Sequence, residues 1–207
     1  MTRIKVCGIT RAEDAIAAAA AGVDAIGCIF YPPSPRGVDL DQAAKVLAAV
    51  PAFVSVIAVV VDPDDDLLAA IRALGGFAAV QFHGDESAAR CESVGMPYIK
   101  AVRVREPGDV ERAAAQHSKA QALLLDTYRP GLKGGTGERF DWSLVPAQFG
   151  ERIVLSGGLG TANVAAAIEA LAPYAVDVSS SVESEPGVKD HQKINEFVRE
   201  VKRVSTA

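Results

Sequence analysis

Eight short runs of apolar, largely β-branched residues recur along the chain: "RIKVCGI", "AIGCIFY", "VSVIAVVV", "AAVQFH", "YIKAVRV", "ALLLDT", "RIVLSGG" and "AVDVSSS". Each has the length of a strand. Between them lie stretches in which Ala, Leu, Glu and Arg recur at helical spacing: "RAEDAIAAAAAG", "DLDQAAKVLAAV", "DPDDDLLAAIRALG", "DESAARCESVG", "EPGDVERAAAQHS", "FDWSLVPAQFG", "GTANVAAAIEALAP" and "KDHQKINEFVREVKRV". Several open on Asp, Ser or Thr, which suit helix N-caps, and two close on Gly. Strands that are apolar almost throughout pair in parallel and are covered by helices on their outer face. Eight such β/α units in 207 residues predict an α/β fold, a (β/α)8 barrel formed as one domain over residues 1–207. The alternative is an open doubly wound sheet. That fold carries a GxGxxG turn after its first strand, where this chain has "CGIT".

Composition narrows the choice of partner. Hydrophobic residues make up 49% of the chain and aromatics 6%, so Ala and Val carry the core. The net charge is −5, and no basic run offers a nucleic-acid footprint. No apolar run is long enough to span a bilayer, and the N-terminal segment lacks the apolar stretch of a signal peptide. A cytoplasmic protein with no membrane or nucleic-acid partner is expected. The oligomeric state stays open, with a monomer favoured. Cys7, Cys28 and Cys91 form no CxxC pair, and His83, His117 and His191 lie far apart in sequence. No metal site and no cofactor are expected.

Candidate chemistry sits where strands end. Side chains alternate along a barrel strand, so Ile4 and Val6 should face the helices while Lys5 and Cys7 face inward. By the same count Gln81 and His83 share a face, as do Asp177 and Ser179. Asp126 ends its strand after three leucines. The C-terminal rim of the strands is where barrel enzymes place their active sites. Each residue also has an ordinary reading: Cys7 as a small core residue, Asp126 as a turn residue, His83 as a loop cap, and Lys5 as a structural partner of Asp177. Their convergence on one rim points to a site.

The glycines add a second theme. "VLSGGLGTANV" follows the seventh strand and "VDVSSSVESEPGVKD" the eighth. Those two loops form the recurrent phosphate site of barrel enzymes, where backbone N–H groups and a helix N-terminus hold the dianion. Thr161 or Asn163 is expected to start the following helix. In "YPPSPRGV" the prolines stiffen the loop after the second strand and can aim Arg36 at a carboxylate. "RPGLKGGTGERFDW", after the sixth strand, holds four glycines and suits a mobile lid.

"KVCGIT", "FYPPSPR", "VQFHGDE", "LLLDT", "GGTGERFDW", "LSGGL" and "VDVSSSVES" occur in that order. Together they resemble the phosphoribosylanthranilate isomerases of tryptophan biosynthesis, from the first strand to the last helix. The resemblance implies a (β/α)8 barrel that acts on a small phosphosugar-anthranilate substrate. N-(5-phosphoribosyl)anthranilate would become 1-(2-carboxyphenylamino)-1-deoxyribulose 5-phosphate by an Amadori rearrangement, without cofactor or metal. It implies Cys7 as general base and Asp126 as general acid. Arg36 would meet the anthranilate carboxylate, His83 and Asp177 would line the substrate, and Gly157, Gly158, Ser179 and Ser180 would hold the phosphate. One position departs from the family pattern Ser-Ser-Gly-Val-Glu: Ser181 stands where the glycine is usual. It would either crowd the phosphate or add a hydroxyl donor. The rivals are a histidine-pathway isomerase of the same chemistry, expected to carry Asp in place of Cys7, an indole-glycerol-phosphate synthase, and a silent phosphosugar-binding protein.

Overall fold

The computed structural model describes residues 1–127 and 141–205. Eight parallel strands close into a barrel in chain order: β1 (Arg3–Cys7), β2 (Ala25–Phe30), β3 (Ser55–Val60), β4 (Ala79–Phe82), β5 (Tyr98–Val104), β6 (Ala122–Thr127), β7 (Ile153–Leu155) and β8 (Ala175–Val178). β8 pairs with β1 to complete the ring. Each strand falls within one of the eight apolar runs.

The alternation of side chains separates two cores. Ile4 and Val6 of β1 and Leu123 and Leu125 of β6 join the large cluster between barrel and helices. Ala122 and Leu124 point the other way and join Ala101, Val154 and Ala175 inside the barrel. The N-terminal part of the interior is therefore small and apolar. The next inward position on β6 is Asp126, and on β8 it is Asp177. The interior thus turns polar as the strands approach their C-terminal ends.

The covering helices are α1 (Ala12–Ala21), α2 (Leu40–Ala49), α3 (Asp65–Leu74), α4 (Ala88–Ser93), α5 (Asp109–Gln116), α6 (Val164–Leu171) and α7 (His191–Ser205). Their starts follow local chemistry. Asp39 accepts from Gln42 N while the Gln42 side chain accepts from Asp39 N, a complete capping box. Asp64 and Ser87 accept from Leu67 N and Arg90 N in the same way. Among the described residues no helix is long and apolar enough to cross a membrane.

Two segments differ from the sequence expectation. "FDWSLVPAQFG" contains no α-helix among the described residues. It forms two 3₁₀ turns, Trp142–Leu144 and Ala147–Arg152. Pro146 is the cause: the residue before a proline is driven out of the helical region, and Val145 is extended at φ −95°, ψ 113°. After β8 the chain forms a 3₁₀ turn, Ser180–Val182, and then a hairpin of β9 (Glu183–Glu185) and β10 (Val188–Lys189). Pro186 and Gly187 make its tip. The expected lid falls mostly on residues 128–140, outside the described residues.

Candidate active site

β1 delivers Lys5 and Cys7 to the inner face of the rim. Cys7 lies opposite Gly27 of β2 in the strand register. A Cβ on Gly27 would stand 2.8 Å from Cys7 Sγ and 3.2 Å from Lys5 Nζ. The missing side chain is what lets a thiol and an ammonium occupy that space together. On its other side β1 pairs with β8, with Lys5 opposite Asp177. Lys5 Nζ donates to Asp177 Oδ1 at 2.8 Å, and Ser156 Oγ donates to Asp177 Oδ2 at 3.3 Å.

Burial disfavours the charged form of each group in this cluster, and neighbours decide the outcome. For Lys5 burial opposes the ammonium, but Asp177 and Cys7 outweigh it and its pKa rises. For Cys7 burial pushes the thiol up from its ordinary value of 9.0. Asp177 adds to that push, while Lys5 and Lys189 act against it. The resting group is a thiol with cations beside it.

Across the mouth, β4 and β6 supply a second group. His83 Nε2 lies 3.1 Å from Asp126 Oδ2, and His83 Nδ1 lies 3.1 Å from Gln81 Nε2. Each ring nitrogen of His83 thus has one hydrogen-bond partner, and the direction of both bonds follows the tautomer. Thr127 N donates to Asp126 Oδ1 at 2.8 Å. Both oxygens of this buried carboxyl are therefore held in fixed directions.

The loops after β7 and β8 form the remaining wall. Gly157 has φ +79°, a region L side chains rarely adopt. A Cβ there would also collide with Thr127 Oγ1, and would lie 2.7 Å from Thr127 N and 3.0 Å from Asp126 Oδ1. Gly157→Ala is expected to destabilise the protein by at least about 1 kcal/mol from the backbone alone. Activity should fall as well, because Asp126 is displaced. Urea unfolding alongside kinetics checks this, and a variant matching the parent in both would refute the packing argument. Asn163 stands at the N-cap of α6 without bonding the helix through its side chain. That side chain braces the glycine loop instead, accepting from Gly160 N at 2.9 Å and donating to Gly158 O at 2.8 Å.

The nine residues to which the resemblance gives site roles line one cavity of about 690 Å³: Cys7, Arg36, His83, Asp126, Gly157, Gly158, Asp177, Ser179 and Ser180. That volume suits a small organic ligand. Several of them are already engaged. Asp177 is held by Lys5, the structural pairing considered from the sequence. Ser179 Oγ donates to Cys7 O at 3.1 Å, so its hydroxyl proton points away from any phosphate. Ser181 Oγ donates to Leu159 O at 2.6 Å and ties the two glycine- and serine-rich loops together. Arg36 is gripped by Glu183, which sequence reasoning passed over together with its neighbour Lys189. The only signal for Glu183 was its place at the end of the Ser-Ser-x-Val-Glu pattern; nothing in the sequence marked Lys189.

Fold and site together define a (β/α)8-barrel enzyme with a thiol and a carboxyl facing a small-ligand cavity at the C-terminal mouth. Residues 4–200 match the family model for N-(5'-phosphoribosyl)anthranilate (PRA) isomerase. This chain belongs to that family of aldose–ketose isomerases. An N-(5'-phosphoribosyl)anthranilate isomerase of Azotobacter vinelandii is 50% identical over 200 residues, covering 97% of each chain. The crystal structure of phosphoribosyl anthranilate isomerase from Thermotoga maritima superposes with a TM-score of 0.89 at 38% identity, over 98% of this chain and 100% of that one. A second crystal structure of such an isomerase, in complex with reduced 1-(o-carboxyphenylamino)-1-deoxyribulose 5-phosphate, gives a TM-score of 0.85 at 38% identity, with the same coverage.

Proposed function

We propose that this chain isomerises N-(5-phosphoribosyl)anthranilate to 1-(2-carboxyphenylamino)-1-deoxyribulose 5-phosphate in tryptophan biosynthesis, with Asp126 as general acid and Cys7 as general base. The observation that carries the assignment of roles is the presence of both groups, from β1 and β6, on one cavity walled by the loops after β7 and β8.

The chemistry needs two proton transfers. Asp126 gives its proton to the ring oxygen of the furanose as the C1–O bond breaks. The anthranilate nitrogen's lone pair forms the C1=N bond, giving a protonated imine. Cys7 then takes the proton from C2, and the released electron pair moves into the C1–C2 bond while the iminium is neutralised. The resulting enolamine tautomerises to the ketone. The iminium acts as the electron sink, so the two groups complete the reaction between them. His83 orients the Asp126 carboxyl, and Lys5 and Lys189 favour the thiolate form that Cys7 takes at the second step.

In this reading the phosphate rests on the backbone of Gly157, Gly158 and Ser180, with Ser179 contributing main chain rather than hydroxyl. Arg36 receives the anthranilate carboxylate. A cytoplasmic location accords with three unpaired cysteines, all buried.

The test follows the fluorescence of freshly prepared phosphoribosylanthranilate on addition of the purified protein, corrected for spontaneous hydrolysis, with the product identified by mass. Catalysed appearance of the ketose is the expected result. A folded protein that binds the reduced product analogue without turning the substrate over would instead be a phosphosugar-binding protein.

A further inference from the structure

Arg36 reaches the cavity only because other parts of the chain hold it there. Its stem crosses Gly8, where a Cβ would stand 2.7 Å from Arg36 Cδ. Gly8 has φ +75°, so the chain turns away from β1 at the point where the arginine passes. At the far end of the side chain, Arg36 Nε donates to Glu183 Oε1 at 2.8 Å and Nη2 donates to Glu183 Oε2 at 2.7 Å. This is a side-on fork. A guanidinium has five N–H bonds, and this fork uses two of them. The Nη1–Nη2 edge keeps a full pair of parallel donors, and no described protein group accepts from it.

Glu183 is placed by the hairpin. It opens β9, and Lys189 of β10 donates to Glu183 Oε1 at 2.7 Å and to Ser179 O at 3.2 Å. The tip of the hairpin docks on the neighbouring loops: Thr10 Oγ1 donates to Gly187 O at 2.6 Å, and Gly187 packs against the Pro35 carbonyl. Arg36 lines the cavity while Glu183 and Lys189 stand behind it. The set holds two cations and one carboxylate. A ligand carboxylate on the free edge of Arg36 would bring it to neutrality.

We infer that Glu183, backed by Lys189, is a specificity-determining positioning residue: it holds the side-on edge of Arg36 so that the end-on edge can take the substrate carboxylate as a bidentate pair. The inference rests on the reading of Arg36 as the carboxylate-binding residue. Bidentate pairing demands a planar fork in one orientation, and an arginine free to rotate would meet the ligand through single, shifting contacts.

The opposing expectation is plain electrostatics. Removing the charge of Glu183 leaves more positive charge beside the ligand, which by itself would tighten binding of a carboxylate. The two ideas therefore predict opposite signs. The probes are the reduced product analogue bearing the o-carboxyl group and its phenylamino counterpart lacking it, each titrated calorimetrically. The quantity read is the ratio of their dissociation constants. Glu183→Gln is expected to lower the preference for the carboxylate roughly ten-fold, with KM raised and kcat within about three-fold of the parent. Because Glu183→Gln leaves Lys189 buried without its carboxylate and can compromise folding, Glu183→Gln/Lys189→Met is measured beside it. The double variant preserves the net charge of the set and should show the same loss. Arg36→Met should abolish the preference altogether. If Arg36→Met abolishes it while the double variant keeps it, Glu183 is structural only and the inference fails alone. If Arg36→Met keeps the preference, the reading of Arg36 fails and takes the inference with it.

Discussion

Asp126→Asn is expected to lower kcat by at least ~100-fold while the protein stays folded and binds the reduced product analogue nearly as well as the parent. The amide has almost the shape of the carboxyl. It can still accept from Thr127 N, which lies 2.8 Å from Oδ1. It has no acid proton to give to the ring oxygen, so the sugar stays closed. Among the described residues His83 is the neighbour placed to stand in, since its Nε2 lies 3.1 Å from Asp126 Oδ2. Stopped-flow kinetics with a calorimetric Kd separates the possibilities. A large fall in kcat with Kd unchanged assigns the proton transfer to Asp126. Turnover within a few-fold of the parent would remove it from the role of acid and turn attention to the imidazole.

Cys7→Ser should cost at least ~100-fold as well, for a different reason. The hydroxyl fits where the thiol fits but does not ionise at accessible pH. The parent enzyme carries a further signature. Burial and Asp177 push the Cys7 thiol upward from 9.0, and the base is its deprotonated form. A raised pKa means that the active fraction is small near neutrality and grows with pH. The limb of kcat/KM that reports Cys7 should therefore still be climbing above the ordinary thiol range. Cys7→Ser should lose that climb along with its rate. A pH profile flat from 7 to 10 in the parent, or an unchanged rate in Cys7→Ser, would rule out thiolate catalysis.

Most of the architecture was legible because it rests on local pattern. An apolar, β-branched run ending in a polar residue identifies both a barrel strand and the rim position it feeds. Alternation put Cys7 on the inner face, and position at a strand end put Asp126 and Asp177 on the rim; all three are found lining the cavity. The illegible parts depend on contacts between distant segments or on a single interrupting residue. Pro146 broke a stretch whose composition reads as helix. The hairpin of β9 and β10 is too short and too polar to show a strand period, although Pro186 and Gly187 mark its turn. Glu183 and Lys189 look like ordinary surface charges in sequence; they become a buried pair only when the hairpin folds back against Arg36. The engagement of Ser179 was equally hidden, whereas the pairing of Asp177 with Lys5 was among the readings of the sequence. Each is occupied by a β1 residue 172 positions away.

That last distance bears on how the protein is made. Cys7 emerges during synthesis long before Asp177 and Ser179, which fix its strand. Until β8 arrives to pair with β1, Lys5 lacks its carboxylate partner and the thiol lacks the wall on that side. Contacts of such long span are slow to form and are lost together. A nascent or C-terminally shortened chain can hold most of its helices and strands and still have no proton-transfer site. The half-made protein is therefore expected to be catalytically silent, so that activity reports completion of the ring.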